Sequence, residues 1–407
     1  MITLKNIQTI DGQRIDKTYP SEESCEIDGT GLTIMPAAID PHVHFRTPGA
    51  EHKESWITGA KACVHGGYTH VFDMPNNVPA CSTVERLEAK MALIEQQLKE
   101  AGIPLRYHLY FGADRKTLDQ IPLVKDKIIG VKIFMGSSTG DLLMDKVDDL
   151  RQAFEICGKH DILVAVHAED ECLIQQRMAE FKGQTDFRVH SKIRSPEVAE
   201  AAVKQAIDLA REFNTRLYIL HVSTINELEL IRAAKSEGLK VYAEACPHHL
   251  FMTEEALGTM GARAQMNPPL RSAKHQMALW QAIQDGSIDT IGSDHAPHSV
   301  EEKNQPYGKA PSGVPNMDTS MALLLNAYND GRLSLERIVE LTRTRAQEIF
   351  RLPDNDDVVL VDLHKTKIVD EAKLYTRCGW SPYAGWELKG WPSYTICQGK
   401  VFTCRQD

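Results

Sequence analysis

The chain has 407 residues, 42% hydrophobic and 25% charged, with glycine and proline at ordinary frequency; this excludes disordered and fibrous classes and allows a large buried core. No uncharged apolar run approaches the roughly 18 residues of a membrane-spanning helix, and no basic segment followed by an apolar stretch opens the chain, so the cytoplasm is the expected location. A formal net charge of −10 without a Lys/Arg block argues against nucleic acid or an anionic membrane as partner, and nine cysteines with no Cys-x-x-Cys pair fit neither a disulfide framework nor a thiolate zinc site.

Residues 1–36 alternate in strand fashion around the Asp11-Gly12 and Asp28-Gly29 turns. From 37 to 352, short β-branched apolar runs alternate with helical patterns eight times. The runs are Ile39 to Phe45, Thr69 to Met74, Arg106 to Phe111, Val131 to Met135, Ile162 to His167, Leu217 to Val222, Lys240 to Ala245 and Thr290 to Asp294. Among the helical stretches, Ser195-Pro196-Glu197 reads as an N-cap with proline at the first helical position, opening an apolar stripe towards Phe213. Thr83 to Glu100 and Asp145 to Lys159 are similar amphipathic stretches. Residues 353–407 return to strands at Asp357 to Leu363, Tyr394 to Cys397 and Val401 to Thr403. The expectation is an α/β protein: a (β/α)8 TIM barrel over 37–352, with a small composite β-sandwich built from 1–36 and 353–407. A doubly wound open sheet is the alternative, but Asp40-Pro-His-Val-His-Phe-Arg offers no Gly-rich phosphate turn.

Catalytic groups of such a barrel lie at the C-terminal ends of its strands. His42 and His44 stand two apart in a strand pattern, so both project from one face, and Arg46 continues it. Apolar runs stop at His167 and at His221, and the last run ends at Asp294. Singly, each histidine reads equally well as a hydrogen-bonded structural residue, and Asp294 as a turn cap. Four imidazoles and a carboxylate all at strand ends read instead as a metal centre. Lys132 lies inside an apolar strand. Either its stem packs while its head reaches solvent, or burial strips its proton and the neutral amine takes up carbon dioxide as a carbamate that bridges two cations.

These residues sit in a series of motifs: Asp40-Pro-His-Val-His-Phe-Arg, Met74-Pro-Asn, Val131-Lys-Ile-Phe, His167-Ala-Glu-Asp, His221-Val-Ser-Thr, Cys246-Pro-His-His-Leu, Asn267-Pro-Pro-Leu-Arg, Ser293-Asp-His-Ala-Pro-His and Trp386-Glu-Leu-Lys-Gly-Trp. In that order, and over nearly the whole chain, they resemble the amidohydrolase superfamily and, within it, the dihydroorotase family of cyclic amidohydrolases. The resemblance implies two Zn2+ per chain, one held by His42, His44 and Asp294 and the other by His167 and His221, with carbamylated Lys132 and a hydroxide bridging them. It implies reversible cyclisation of N-carbamoyl-L-aspartate to (S)-dihydroorotate with release of water, the third step of de novo pyrimidine (UMP) biosynthesis, with Asp294 moving the proton.

Arg46 is a fork of donors suited to a carboxylate. Asn76 and His298 match family positions that complete a carboxylate clamp, and Asn267, the backbone near Leu270, and Ser312-Gly313 resemble stretches that hold the ring. Two details bear on the match: Arg46 is followed by Thr47-Pro-Gly where relatives often carry Glu-Pro-Gly, and Val131-Lys-Ile-Phe-Met-Gly looks like the branch that bridges through lysine. Hydantoinase, dihydropyrimidinase and allantoinase share the metal set. Only dihydroorotate carries a ring carboxylate, so Arg46 is the discriminating residue. A catalytically silent scaffold homologue is the reading outside the enzymes, and the full ligand set stands against it. A homodimer and association with aspartate transcarbamoylase are the assemblies the resemblance leaves open.

Overall fold

Eight parallel strands alternate with helices through the middle of the chain, as the periodicity predicts. In the computed structural model, which describes residues 1–404, they are β1 (Ala38–Val43), β2 (Tyr68–Asp73), β3 (Arg106–Gly112), β4 (Gly130–Phe134), β5 (Val164–His167), β6 (Leu217–Ile219), β7 (Val241–Ala245) and β8 (Thr290–Ile291). Each pairs with the next in sequence from β1 to β8. The ring is drawn shut where the backbone N–H of His44 donates to the His295 carbonyl at 2.8 Å and Val43 bridges His295 in parallel. The architecture is a TIM barrel with a separate sheet domain.

Ile39, Phe72, Tyr110, Ala165 and Tyr218 come from five different strands yet form one buried cluster, which only side chains pointing into the barrel can do. Phe350 plugs that cluster edge-on, 4.8 Å from the Phe72 ring and 5.1 Å from that of Tyr218. One end of the barrel is therefore filled with apolar side chains, and the hollow is confined to the end where the strands terminate. The helix Pro196–Phe213 shows how the outer ring is held. It begins with proline at its first position, ends at Asn214 in the left-handed region (φ 50°), and buries Val198, Ala202, Val203, Ala206, Ile207 and Leu209. Each larger aliphatic side chain so buried stabilises by about 1.5–3 kcal/mol, an upper figure for a compact unfolded chain.

Strands from both termini, Ile2–Gln8, Arg14–Tyr19, Cys25–Asp28, Thr33–Pro36, Val358–Ile368, Glu387–Cys397 and Lys400–Thr403, join in one seven-stranded sheet. The two ends of the chain meet where Met35 pairs antiparallel with Val359. Residues 405–407, the end of the expected terminal unit, lie outside the described residues. Glu54 ties this sheet to the barrel: its fully buried carboxylate accepts from Thr376 Oγ1 at 2.6 Å and from the Arg377 N–H at 3.3 Å, and lies 3.2 Å from His295 Nε2. All nine cysteines are free, as their spacing predicts. Among the described residues no helix is long and apolar enough to cross a membrane.

Candidate metal centre

β1 carries the His-x-His pair to the open end of the barrel. His42 Nε2 lies 3.2 Å from Asp294 Oδ1, and His44 Nε2 lies 3.2 Å from the same oxygen. His42 lies in the first strand, and His44 and Asp294 follow just after the first and last strands, which adjoin where the ring shuts. His167 at the end of β5 and His221 just beyond β6 face one another, Nδ1 to Nε2, at 3.0 Å. The His42 and His221 ring centroids are 5.5 Å apart, so the two groups are adjacent. Lys132 on β4 is buried with its Nζ 4.6 Å from the Phe134 ring centroid, and no carboxylate is within ion-pair distance of it among the described residues.

Burial decides the charge state of this cluster. It pushes the His42 imidazole down to about 3 against the pull of Asp294, and it holds His44 and His221 well below, and His167 below, their ordinary value. Neutral imidazoles offer a lone pair to a cation. Burial likewise pushes the Lys132 ammonium down to about 7 although Asp294 and Glu244 pull it up, which favours the amine that reacts with carbon dioxide. The donor set fits a pair of divalent cations: two imidazole nitrogens 3.0 Å apart can share one proton or one cation, and two more converge on a carboxylate oxygen.

The imidazoles are braced from behind. His42 Nδ1 meets Glu244 Oε1 at 2.8 Å; Glu244 also accepts from the Tyr218 hydroxyl at 2.9 Å and from the His221 N–H at 3.2 Å. Burial pushes the Glu244 carboxyl up to about 8. The carboxyl presses so closely on Gly292 that a Cβ there would lie 2.3 Å from its Oε2, so the position just after β8 needs glycine. Sequence reasoning missed Glu244. The signal was a carboxylate inside the strand Val241-Tyr-Ala-Glu-Ala, the same anomaly that singled out Lys132.

His44 Nδ1 meets Asn76 Oδ1 at 2.7 Å, and Asn76 Nδ2 donates to the Thr139 carbonyl at 2.8 Å. Asn76, expected in a carboxylate clamp, is here committed to a histidine and to the loop after β4. Arg46, Asn267, Ser312 and Gly313 line the cavity beside the metal-ligand candidates. Strand alternation does not account for Arg46: β1 ends at Val43, and a left-handed turn at Arg46 (φ 58°) returns its side chain to the cavity. His221 (φ 39°) and Asp294 (φ 46°) also adopt this conformation, at a cost on the order of 1–3 kcal/mol each for residues with a side chain.

His298 and Leu270 do not line the cavity. Leu270 belongs to an apolar cluster, and its carbonyl accepts from Ser191 Oγ at 3.1 Å. His298 stands behind Arg46, its Nε2 3.2 Å from Arg46 Nη2 and 3.0 Å from the Ser312 carbonyl, while its Nδ1 faces Lys53 Nζ at 3.2 Å. Only the tautomer with hydrogen on Nε2 satisfies both the carbonyl and the lysine. Lys53 is a second unanticipated residue, because the run Glu51-His-Lys-Glu reads as a solvated loop. His190 is a third: its Nε2 lies 2.9 Å from Asn267 Oδ1 and 3.0 Å from the Met266 carbonyl, so the Asn267 oxygen is held and its NH2 is left for the cavity. Cys246, His248 and His249 also gather ligand-type atoms. There, however, His248 Nδ1 accepts from Asn316 and His249 Nε2 donates to the Pro268 carbonyl, each at 3.1 Å.

The Amidohydrolase family matches residues 33–402. The chain belongs to the amidohydrolase family. It is 31% identical to a dihydroorotase of Methanosphaera stadtmanae, over 100% of this chain and 97% of that one. Identity to the multifunctional protein CAD of Squalus acanthias is 32%, over 91% of this chain but 15% of CAD, so the related segment is one part of a much longer protein. An L-hydantoinase (dihydropyrimidinase) from Arthrobacter aurescens superposes with a TM-score of 0.91 at 28% identity, covering 99% of this chain and 96% of that one. This amidohydrolase is a cyclic amidohydrolase enzyme, as its motifs imply.

Proposed function

We propose that the protein acts as a dihydroorotase, interconverting N-carbamoyl-L-aspartate and (S)-dihydroorotate as the third step of UMP biosynthesis. The observation that carries the reading is the Arg46 guanidinium at the cavity wall. It is 5% exposed, and burial pushes it down only to about 10, so it stays cationic at neutral pH. A buried cation with no carboxylate of the described residues in ion-pair contact suits a ring that brings its own. Hydantoin, dihydropyrimidines and allantoin bring none.

His42, His44 and Asp294 would hold one Zn2+ and His167 and His221 the other, with the carbamate of Lys132 between them. When bound, the two ions lower the pKa of water towards neutrality and polarise the scissile carbonyl. Asp294 turns Oδ1 to the imidazoles, which leaves Oδ2 for a proton. It takes that proton from the attacking water and returns it to the ring nitrogen as the C–N bond breaks. In the biosynthetic direction it takes the proton from the carbamoyl nitrogen as that nitrogen bonds to the carbon of the protonated carboxyl group, and gives it to the departing hydroxyl, which leaves as water. Arg46 would pair with the ring carboxylate, backed by His298, while Asn76 Nδ2 would turn from Thr139 to the same group. Kinship to one segment of a longer multifunctional protein supports association with another pathway enzyme such as aspartate transcarbamoylase, in the cytoplasm.

The fold similarity to L-hydantoinase favours ring opening of hydantoin as a second reading. Turnover of dihydroorotate, hydantoin, dihydrouracil and allantoin by one zinc-loaded preparation separates the two. Dihydroorotate should be preferred, and preference for an uncharged ring overturns the proposal. Native intact mass should show a carboxyl group added at Lys132.

A further inference from the structure

Lys303 ends the short helix Val300–Lys303, and its side chain is 3% exposed. An ammonium has three N–H bonds, and here each finds a backbone carbonyl: Pro311 at 2.9 Å, Gly313 at 2.9 Å and Gln265 at 3.1 Å. No carboxylate of the described residues lies within ion-pair distance; burial pushes the ammonium down to about 7, and what holds its proton, unlike that of Lys132, is three main-chain carbonyls, with the Trp380 ring 5.7 Å away. A buried cation is costly to desolvate, and these partners belong to segments without helix or strand of their own.

Those segments are the ring side of the cavity. Gln265 leads two residues later to Asn267, and Pro311 and Gly313 flank Ser312; Asn267, Ser312 and Gly313 all line the cavity. The two segments also bond to each other, the Gly313 N–H donating to the Gln265 carbonyl at 2.9 Å and Gln265 Nε2 to Ser312 Oγ at 3.0 Å. Gly313 (φ 136°) lies against the wall beside the metal centre so closely that a Cβ would come within 2.5 Å of the Ala296 carbonyl.

We infer that Lys303 is a positioning residue, whose ammonium ties segments 265–267 and 311–313 in one register so that Asn267 and the Ser312-Gly313 backbone meet the ring amides together. The inference takes its substrate from the function proposed above, but the tie itself does not depend on which cyclic amide is opened. Lys303→Met keeps the stem and removes all three donors; Lys303→Gln restores two and is the milder second variant.

Zinc content should be unchanged in both, with KM raised about tenfold or more in Lys303→Met, kcat within about threefold, and Lys303→Gln intermediate. Hydrogen exchange of the 311–317 peptide, which contains the Gly313 N–H, should accelerate in the same order. A lower melting temperature with wild-type KM and wild-type exchange would mean Lys303 is merely structural and would overturn the inference. So would a fall in kcat alone. If the wild-type enzyme opens hydantoin and not dihydroorotate, the function proposed above fails while this inference is tested on hydantoin by the same series; with no ring opened, the exchange rates decide it.

Discussion

On one wall of the cavity, His42 and His167 project from strands whose backbones bond to each other, His44 and Asp294 follow one and three residues after strand ends, and a buried carboxyl braces His42 from behind. Elsewhere along the cavity lining, Asn267, Ser312 and Gly313 ride on loops tied in part by side chains, those of His190, Gln265 and Lys303. A strand ladder spreads a local loss over many bonds, whereas loops held by a few side chains and the single Gly313 to Gln265 backbone bond lose more of their register when one of those ties goes. The chemistry therefore sits on the rigid wall and ring selection on the wall held by fewer contacts.

The sharpest test of this contrast is Asp294→Asn. It should lower kcat by roughly a thousandfold while dihydroorotate still binds, the size expected for a lost acid–base group. A loss under tenfold in steady-state turnover would take Asp294 out of the proton path. Arg46→Ala should raise KM for dihydroorotate by on the order of a hundredfold with zinc per chain unchanged, since a charge-assisted pair is lost and no ligand is touched. Zinc loss in that variant, read by elemental analysis, would move Arg46 to the metal wall. For Glu244→Gln the expected effect is on the order of tenfold in zinc affinity, measured by competition with a chelator, because the brace of His42 is weakened and not removed. Unchanged affinity would mean the metal wall needs no support from β7.

The smallest effect concerns pH and the ring wall. Burial, and next Arg194, push the His190 imidazole down to about 4, whereas the unfolded chain ionises near 6.5. Between those values the unfolded state binds a proton that the folded state refuses. The stability tied to neutral His190 is thus complete above pH 6.5 and is lost as pH falls towards 4. In metal-stripped protein, His190→Asn should show a shallower fall of the denaturation midpoint across that window. Equal slopes would mean His190 is charged in the fold.

The alternation of apolar runs made the barrel legible, because period-two burial is a property of residues adjacent in sequence. Runs at Ile39 and Thr290 were read as reaching Phe45 and Asp294, yet the ladders stop at Val43 and Ile291. The chain leaves them through left-handed turns that neither an arginine nor an aspartate announces. Histidines at strand ends were legible for the same local reason. Glu244, Lys53 and His190 were not, because each acts on residues distant in sequence: the Glu244 brace reaches back 202 positions to His42; Lys303 was not, because its carbonyl partners carry no residue-type signal. Asn76 lines the cavity, and its sequence neighbours gave no sign that its oxygen meets His44 and its NH2 the Thr139 carbonyl.

The left-handed backbone at Arg46, His221 and Asp294 sets what a selection experiment would do to this enzyme. Glycine at any of the three would relax the main chain and remove a functional side chain in one step. A library screened for heat resistance of the metal-free protein alone would therefore enrich glycine at positions 46, 221 and 294, and its most robust members would be those least able to turn over a ring. Screens for a tougher catalyst need activity as a second filter at these three codons first.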